Sequence, residues 1–537
     1  MRPRSMRAAL LADENVGGGN VVASLLAGGA DPDGPGLSFD TDVDGIAAER
    51  MITLGRLDER INARTDWLHR HGIRHRDPVA VWTTDAADVV LSFLALTRIG
   101  AIPALMNGKI PPDIAAEYIR RLRTVGVLAD APHAELLAGQ DIGVPVLGAP
   151  AELGTGDPAG APPHYRHHPD DPVVITHSSG TTGVPKAVMH THATIYAATR
   201  HLLSMPQAQG TNRILNALPI PHTATVIMAN QALGNRAEFL SLSKQDGPYV
   251  LDAIERWRPA AVFGFAVTWS GLARFDLTEH DLGSVRLWFN TGDSAHEAHI
   301  RRLVAAGARE RVTREGVVTV PGSVFIDGLG SSEMGHSMFH IHHSPETERY
   351  GRCIGKPYEF VEAVVLDRDG MAVPDGQVGL LGLRSPSLSP GYWNDSVTTH
   401  RFRRNGWSMY GDLVYRDADG WFYHMDRVTD AAELGDGRWI FTALSEERVL
   451  AALPEVVDCT AVVVSHDDTV ITDVLLELHP DADPTVDRTE RVRAAIGEPA
   501  GSTLNRVTVV STEEIPLTVT GKVRKFLLRQ RHLTGVS

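Results

Sequence analysis

The chain has 537 residues, 43% of them hydrophobic and 22% charged, which is too long for one compact core and ordinary in composition for a globular protein. Its 66 acidic against 51 basic residues leave a formal charge of −15, which excludes a nonspecific nucleic-acid or anionic-membrane binder and demands that any polyanion site be locally basic. Only Cys353 and Cys459 are present, no apolar run nears the roughly 20 residues a bilayer requires, and residues 1–11 reach Asp13 without a signal-like apolar core, so a disulfide framework is excluded and a cytoplasmic location expected.

Taken in chain order, Leu57, Ile61, Trp67 and Leu68 predict an amphipathic helix over 57–71. A buried strand follows at 77–82, a helix at 86–100, and strands at 100–105 and 125–129. This repetition predicts parallel strands with helices on both faces. Residues 150–171, rich in Gly, Pro and His, read as a surface connector. Between 361 and 423 the pattern changes to antiparallel hairpins around the turn Pro374-Asp375-Gly376, with a short strand at 421–425. Beyond Asp426 a small α+β unit is expected: a helix at 445–453, strands at 459–464 and 474–478, and a helix at 488–496.

Chemistry concentrates just after the apolar run Val173-Val174-Ile175. His177-Ser178-Ser179-Gly180-Thr181-Thr182-Gly183-Val184-Pro185-Lys186 offers backbone N–H groups, hydroxyls and one ammonium, the donors a polyphosphate needs. The spacing G-x-x-G-x-x-K is not that of a Walker A loop.

This loop resembles the signature of adenylate-forming enzymes, the superfamily of acyl-CoA ligases, luciferases and peptide-synthetase adenylation domains. Further segments resemble that family in the same order: residues 96–103, Leu218 to Ala224, Asn290 to Ala295, Asp327 to Glu333, Trp407 to Asp412, Asp426 to Asp430, and Ile515 to Lys522. The resemblance spans about residues 40–530. It implies an α/β core over 1–425 (parallel sheets, helices on both faces and a small β-rich subdomain), a hinge at 426–430, and an α+β lid domain over 431–537.

The implied reaction joins an acid to ATP, releasing pyrophosphate, and then passes the activated group to CoA or an amine. Catalysis of that step is mainly positioning and charge neutralisation. By resemblance, Ser178, Ser179, Gly180, Thr181, Thr182 and Gly183 hold phosphates, with Lys186 beside them. Glu333 ligates Mg²⁺, a hard cation suited to carboxylate and phosphate oxygens. Asp293, Gly328, Leu329, Gly330, Ser331 and Ser332 contact the nucleotide, and the Asp412 carboxylate accepts from its ribose. Arg427 supports the hinge, and Lys522 is carried in by the lid to stabilise developing charge. The substrate pocket is assigned to His222, Thr223, Trp269, Asn290 and His336. Its polar members and Trp269 point to a small or aromatic polar acid rather than a fatty chain.

Two histidine-rich segments lack metal-site logic. His296-Glu297-Ala298-His299 has its histidines three apart rather than four, and His340, His342 and His343 have no companion ligand pattern. Departures from the family are sharper. Leu329 stands where a tyrosine is usual, Ser332 and Tyr410 where threonines are, and the hinge segment carries Asp426, Thr429 and Glu433 in place of glycine, Asp or Lys, and lysine. The loop after Glu433 is one residue longer. In the family this segment serves the second half-reaction, while Lys522 of the first is retained. Adenylation is therefore expected, with transfer to an acceptor that in this family is most commonly CoA; an amine acceptor (an amide synthetase, or a nitrite-activating diazotase acting on an aryl amine) and a nucleotide-binding pseudoenzyme are the alternatives.

Overall fold

The computed structural model describes residues 3–178, 184–205, 212–314, 316–434, 437–466, 469–519 and 521–534. The strand Pro78–Thr83 shows why a parallel, two-sided sheet forms here. Alternate side chains of a strand point to opposite faces. Val79 and Val81 enter one apolar cluster together with residues of the helix Ala86–Arg98, and Ala80 and Trp82 enter another with residues of the helix Pro112–Leu122. Both faces are apolar because both are covered.

Seven strands make this first sheet, in the order Gly391–Tyr392, Ala187–Thr191, Pro172–His177, Ile102–Asn107, Pro78–Thr83, Gly126–Ala129 and Val146–Gly148. The last five run parallel. The phosphate-loop candidate instead connects the antiparallel pair Pro172–His177 and Ala187–Thr191, and Ser178 N donates to Lys186 O at 3.0 Å across its base. The loop thus closes a hairpin rather than opening a helix.

A second sheet begins with the parallel strands Pro35–Phe39, Glu238–Ser241, Arg213–Asn216, Ala261–Gly264, Leu287–Asn290 and Val324–Asp327. Phe339–His343 then joins antiparallel to Val324–Asp327, and through it the ladder continues to Cys353–Pro357, Phe422–Arg427, Asp412–Arg416 and Gly379–Arg384. The hairpin region expected from 361 onward forms as Glu362–Leu366 against Gly379–Arg384.

After Asp430 comes a three-stranded sheet. Val456–His466 and Thr469–Leu478 are antiparallel, each longer than the sequence predicts, and Leu504–Val509 lies parallel to the second. Val449, Val463, Val474, Leu476 and Val492 form its own apolar cluster. The Thr442–Ala452 helix bears on the rest of the protein through Glu447, whose carboxylate takes a bond from His296 Nδ1 at 2.6 Å and from Glu297 N at 3.0 Å. Arg274 Nη1 pairs with Glu477 Oε2 at 2.7 Å, and His299 Nε2 donates to Val457 O at 2.9 Å. The His296–His299 segment therefore contacts the C-terminal unit. No described helix is long and apolar enough to cross a membrane.

Candidate active site

The residues singled out from sequence converge where the two large sheets and the C-terminal unit meet. Lys522 stands at the end of a turn in which Thr518 N donates to Lys522 O at 2.7 Å and Lys522 N to Thr518 Oγ1 at 3.0 Å. Gly521 has φ of +83°, and a Cβ there would lie 3.0 Å from Val267, so the turn needs glycine to seat against the core. Asn107 Nδ2 donates to Val519 O at 3.1 Å, holding the turn from the other side. Lys522 Nζ consequently reaches Asp293 Oδ2 at 2.8 Å. Burial would raise the Asp293 carboxyl, but the Lys522 charge and hydrogen bond, with Arg427 behind, hold it below its ordinary value.

Asp412 begins the strand Asp412–Arg416 and is 1% exposed. Its Oδ1 accepts from Arg427 Nη1 at 3.0 Å, and His424 Nε2 lies 3.3 Å from the same oxygen. Burial alone would protonate this carboxyl; Arg427 and His424 overcome it and keep Asp412 well below the usual carboxylate range. Arg427 is raised in turn, chiefly by Asp412. Asp412 Oδ2 is buried and has no hydrogen-bond partner among the described residues. Such an atom is costly unless a ligand supplies a donor.

Glu333 and Lys186 both approach Tyr392. Tyr392 OH donates to Glu333 Oε1 at 2.9 Å, and the Lys186 ammonium sits 5.7 Å from the Tyr392 ring centre and 4.6 Å from that of Phe402. Glu333, Tyr392, Phe402, Arg403 and Tyr410 line one small cavity. Ser178 precedes it at the foot of the hairpin; Ser179, Gly180, Thr181, Thr182 and Gly183 lie outside the described residues.

Three neutral histidines surround Ser332. His190 Nε2 donates to Ser332 O at 2.7 Å. His222 Nδ1 accepts from Ala224 N at 3.1 Å, capping the Thr223–Asn235 helix, which leaves its Nε2–H to donate to Ser332 Oγ at 3.1 Å. His177 Nε2 accepts from Asn107 N at 3.1 Å. Burial pulls all three down, to about 3 for His222 and about 4 for His177 and His190, so none carries charge near neutrality. Gly335, with φ of +71°, brings its backbone close enough that a Cβ would meet Ser387 O at 2.2 Å.

A cavity adjoins this group, lined by His222, Thr223, Ile227, Met228, Phe289, Thr291, Ser331, His336 and Ser337 among others. Thr291 and Ser337 hydroxyls are bonded at 2.8 Å. His336 Nδ1 donates to Ser337 O at 2.8 Å, and burial lowers its value to about 4. His222, Thr223 and His336 of the predicted pocket are thus brought together.

Trp269 and Asn290 are not pocket residues. Trp269 is wholly buried between Trp288 and Phe325, and its Nε1 donates to Asn290 Oδ1 at 2.7 Å. Asn290 Nδ2 donates to Asp327 Oδ1 at 2.6 Å and to Asp293 O at 2.7 Å. Polarity read as substrate recognition is spent inside the core, where burial raises Asp327 to about 6. Leu329 is 2% exposed within the cluster of Met334, Met338 and Phe339, so it presents no side chain for a base to stack on. Gly328 and Gly330 sit beside Ser337 and Thr291, and Gly330 N donates to Gly292 O at 2.9 Å. His340 stacks on Tyr358 and His343 on Tyr350, and no three potential ligands group to hold a metal among the described residues.

Sequence reading passed over Tyr392, His424 and Arg352, because their partners lie 59, 12 and 72 residues away in the chain, at Glu333, Asp412 and His424.

Known proteins share both the pattern and the fold. The profile of the AMP-binding enzyme family matches residues 38–393. The chain is 42% identical to a 3-aminoavenalumate diazotase of a Streptomyces species, over 98% of each chain. It is 28% identical to the 3-hydroxybenzoate–CoA/4-hydroxybenzoate–CoA ligase of Thauera aromatica, over 90% of this chain and 92% of that one. The fold superposes on the anthranilate CoA ligase AuaEII in complex with anthranoyl-AMP with a TM-score of 0.82 at 20% identity, covering 97% and 98% of the two chains. The chain belongs to the AMP-binding enzyme family and is an ATP-dependent adenylate-forming ligase.

Proposed function

We propose that this ligase is a diazotase, activating nitrite with ATP and delivering the nitrosyl group to an aromatic amine. The observation that carries the reading is the 42% identity, end to end, with a 3-aminoavenalumate diazotase. Two local features support it. The cavity beside His222 is lined by the aromatic Phe289, apolar Ile227 and Met228, and neutral polar side chains, with no carboxylate among its described lining residues to retain an amine as ammonium. The hinge position at which the family pattern has lysine is Glu433, paired here with Arg368.

A nitrite oxygen attacks the α-phosphorus, the bond to the β-phosphate oxygen breaks, and pyrophosphate leaves. The amine nitrogen then attacks the nitrosyl nitrogen and AMP leaves. A proton shift from nitrogen to oxygen turns the N-nitroso amine into the diazohydroxide, which takes up one proton and loses water to give the diazonium ion, with no net oxidation.

Lys522 neutralises charge on the oxygen-rich transition state and Asp293 holds it until substrate arrives. Asp412 Oδ2 accepts from a ribose hydroxyl, as its unpaired, buried state fits. Lys186, Ser178 and the hydroxyl-rich residues 179–183 bind phosphates. Glu333, oriented by Tyr392, is the hard oxygen donor that suits Mg²⁺, which supplies charge neutralisation when bound. Residues 426–430 act as a hinge between a core of residues 1–425 and a lid of 431–537.

The test is pyrophosphate release from Mg-ATP with nitrite, followed by addition of an amino-substituted aromatic acid or of CoA. Nitrite-dependent release with trappable diazonium is expected. Release driven by a carboxylic acid and enhanced by CoA would replace this reading with that of an aryl-CoA ligase.

A further inference from the structure

The geometry points to His424 and Arg352 as positioning residues that aim the Asp412 carboxylate at the nucleotide. This rests on the assignment of Asp412 to the ribose. His424 is 3% exposed on the strand Phe422–Arg427, antiparallel to the strand that Asp412 begins. Arg352, 5% exposed, grips it three ways: Nη2 bonds to His424 Nδ1 at 2.9 Å, Nε donates to His424 O at 3.1 Å, and Arg352 O accepts from His424 N at 2.9 Å. Arg352 adopts φ of +68°, a left-handed conformation that a non-glycine residue keeps only where surrounding bonds demand it.

The tautomer of His424 follows from donor counting. A guanidinium has only donors, so Nδ1 must be the acceptor and the ring proton sits on Nε2. His424 Nε2 lies 3.3 Å from Asp412 Oδ1, slightly beyond the usual hydrogen-bond range, and has no hydrogen-bond partner among the described residues. Arg427 takes the same oxygen from the other side. Both protein donors are therefore gathered on Oδ1, and Oδ2 is left bare for the ligand. His424 and Arg352 touch no substrate; they fix which carboxylate oxygen is free and where it points.

The experiment is equilibrium binding of Mg-ATP and of 2′,3′-dideoxy-ATP to the full chain, which needs neither the acid nor the acceptor to be known. His424→Phe, which keeps a ring but no donor, should weaken ATP roughly tenfold, the scale of one hydrogen bond to a charged group. It should also narrow the preference for ATP over the dideoxy analogue, with little change for the analogue itself. His424→Gln, which restores an N–H donor, should recover most of that preference, and Arg352→Met, which leaves His424 in place, should resemble His424→Phe. A merely structural role would weaken both nucleotides alike. Equal losses for the two nucleotides, or an unchanged preference in folded His424→Phe and Arg352→Met, would overturn the proposal. If wild type binds ATP with this preference yet never responds to nitrite, only the diazotase reading falls.

Discussion

The Lys522 ammonium and the Asp293 carboxylate, 229 positions apart, meet at 2.8 Å, which ties the C-terminal unit to the core. Both side chains remain partly exposed, at 33% and 43%, so screening leaves the pair weak and separable. A catalytic lysine held by a weak partner can exchange it for substrate. Lys522→Ala should reduce pyrophosphate release by roughly a hundredfold or more while ATP still binds. Release assays beside nucleotide-binding titration check this; near-normal release would remove Lys522 from the chemistry.

Trp269→Ala should act on stability and not on substrate choice. The side chain is fully buried against Trp288 and Phe325 and supplies the donor for Asn290. Such a truncation costs roughly 3–5 kcal/mol. Denaturant unfolding should register the loss, and the ratio of rates across a panel of ring-substituted substrates should stay constant. A changed ratio would return Trp269 to the pocket.

The contact between His296 and Glu447 should make stability depend on pH. Burial opposes the imidazolium, but the Glu447 hydrogen bond and charge raise His296 above its ordinary 6.5, while Glu447 is lowered from 4.5 to about 2. The raised histidine contributes fully below 6.5 and loses its contribution as pH climbs through its folded value. The lowered glutamate contributes above 4.5 and loses it as pH falls toward 2. The pair is thus complete between about 4.5 and 6.5. His296→Leu should lower stability by roughly 3 kcal/mol near pH 5.5, and the difference from wild type should shrink in alkali. Thermal unfolding of both proteins from pH 4 to 9 measures it; a difference independent of pH would mean that His296 is neutral there.

Tyr392→Phe removes the donor to Glu333 Oε1 and keeps the ring beside Lys186. The Mg²⁺ concentration giving half-maximal pyrophosphate release should rise severalfold, as for other residues that orient a metal-binding group. An unchanged Mg²⁺ requirement would separate Tyr392 from metal binding.

The parallel sheet was legible because Val79-Ala80-Val81-Trp82 is apolar on both faces, a pattern that only helices on both sides satisfy. The glycine- and hydroxyl-rich loop, Lys522, Asp412 and Glu333 could be picked out for a similar reason: their chemistry is carried by short local motifs. The pocket was less legible. Asn290 is polar whether it faces a substrate or, as here, joins Trp269 to Asp327 inside the core, and composition cannot distinguish the two.

What the sequence by itself determined is the adenylate-forming class of the enzyme, since the segments that resemble that family, from the hydroxyl-rich loop to Lys522, occur in one order along the chain. Tertiary structure alone decided how their side chains are held. Arg352 reaches His424 across 72 residues, Tyr392 reaches Glu333 across 59, and Trp269 turns inward. Orientation of a side chain depends on contacts between distant strands, and a hydrogen bond formed across that distance leaves no local spacing to read.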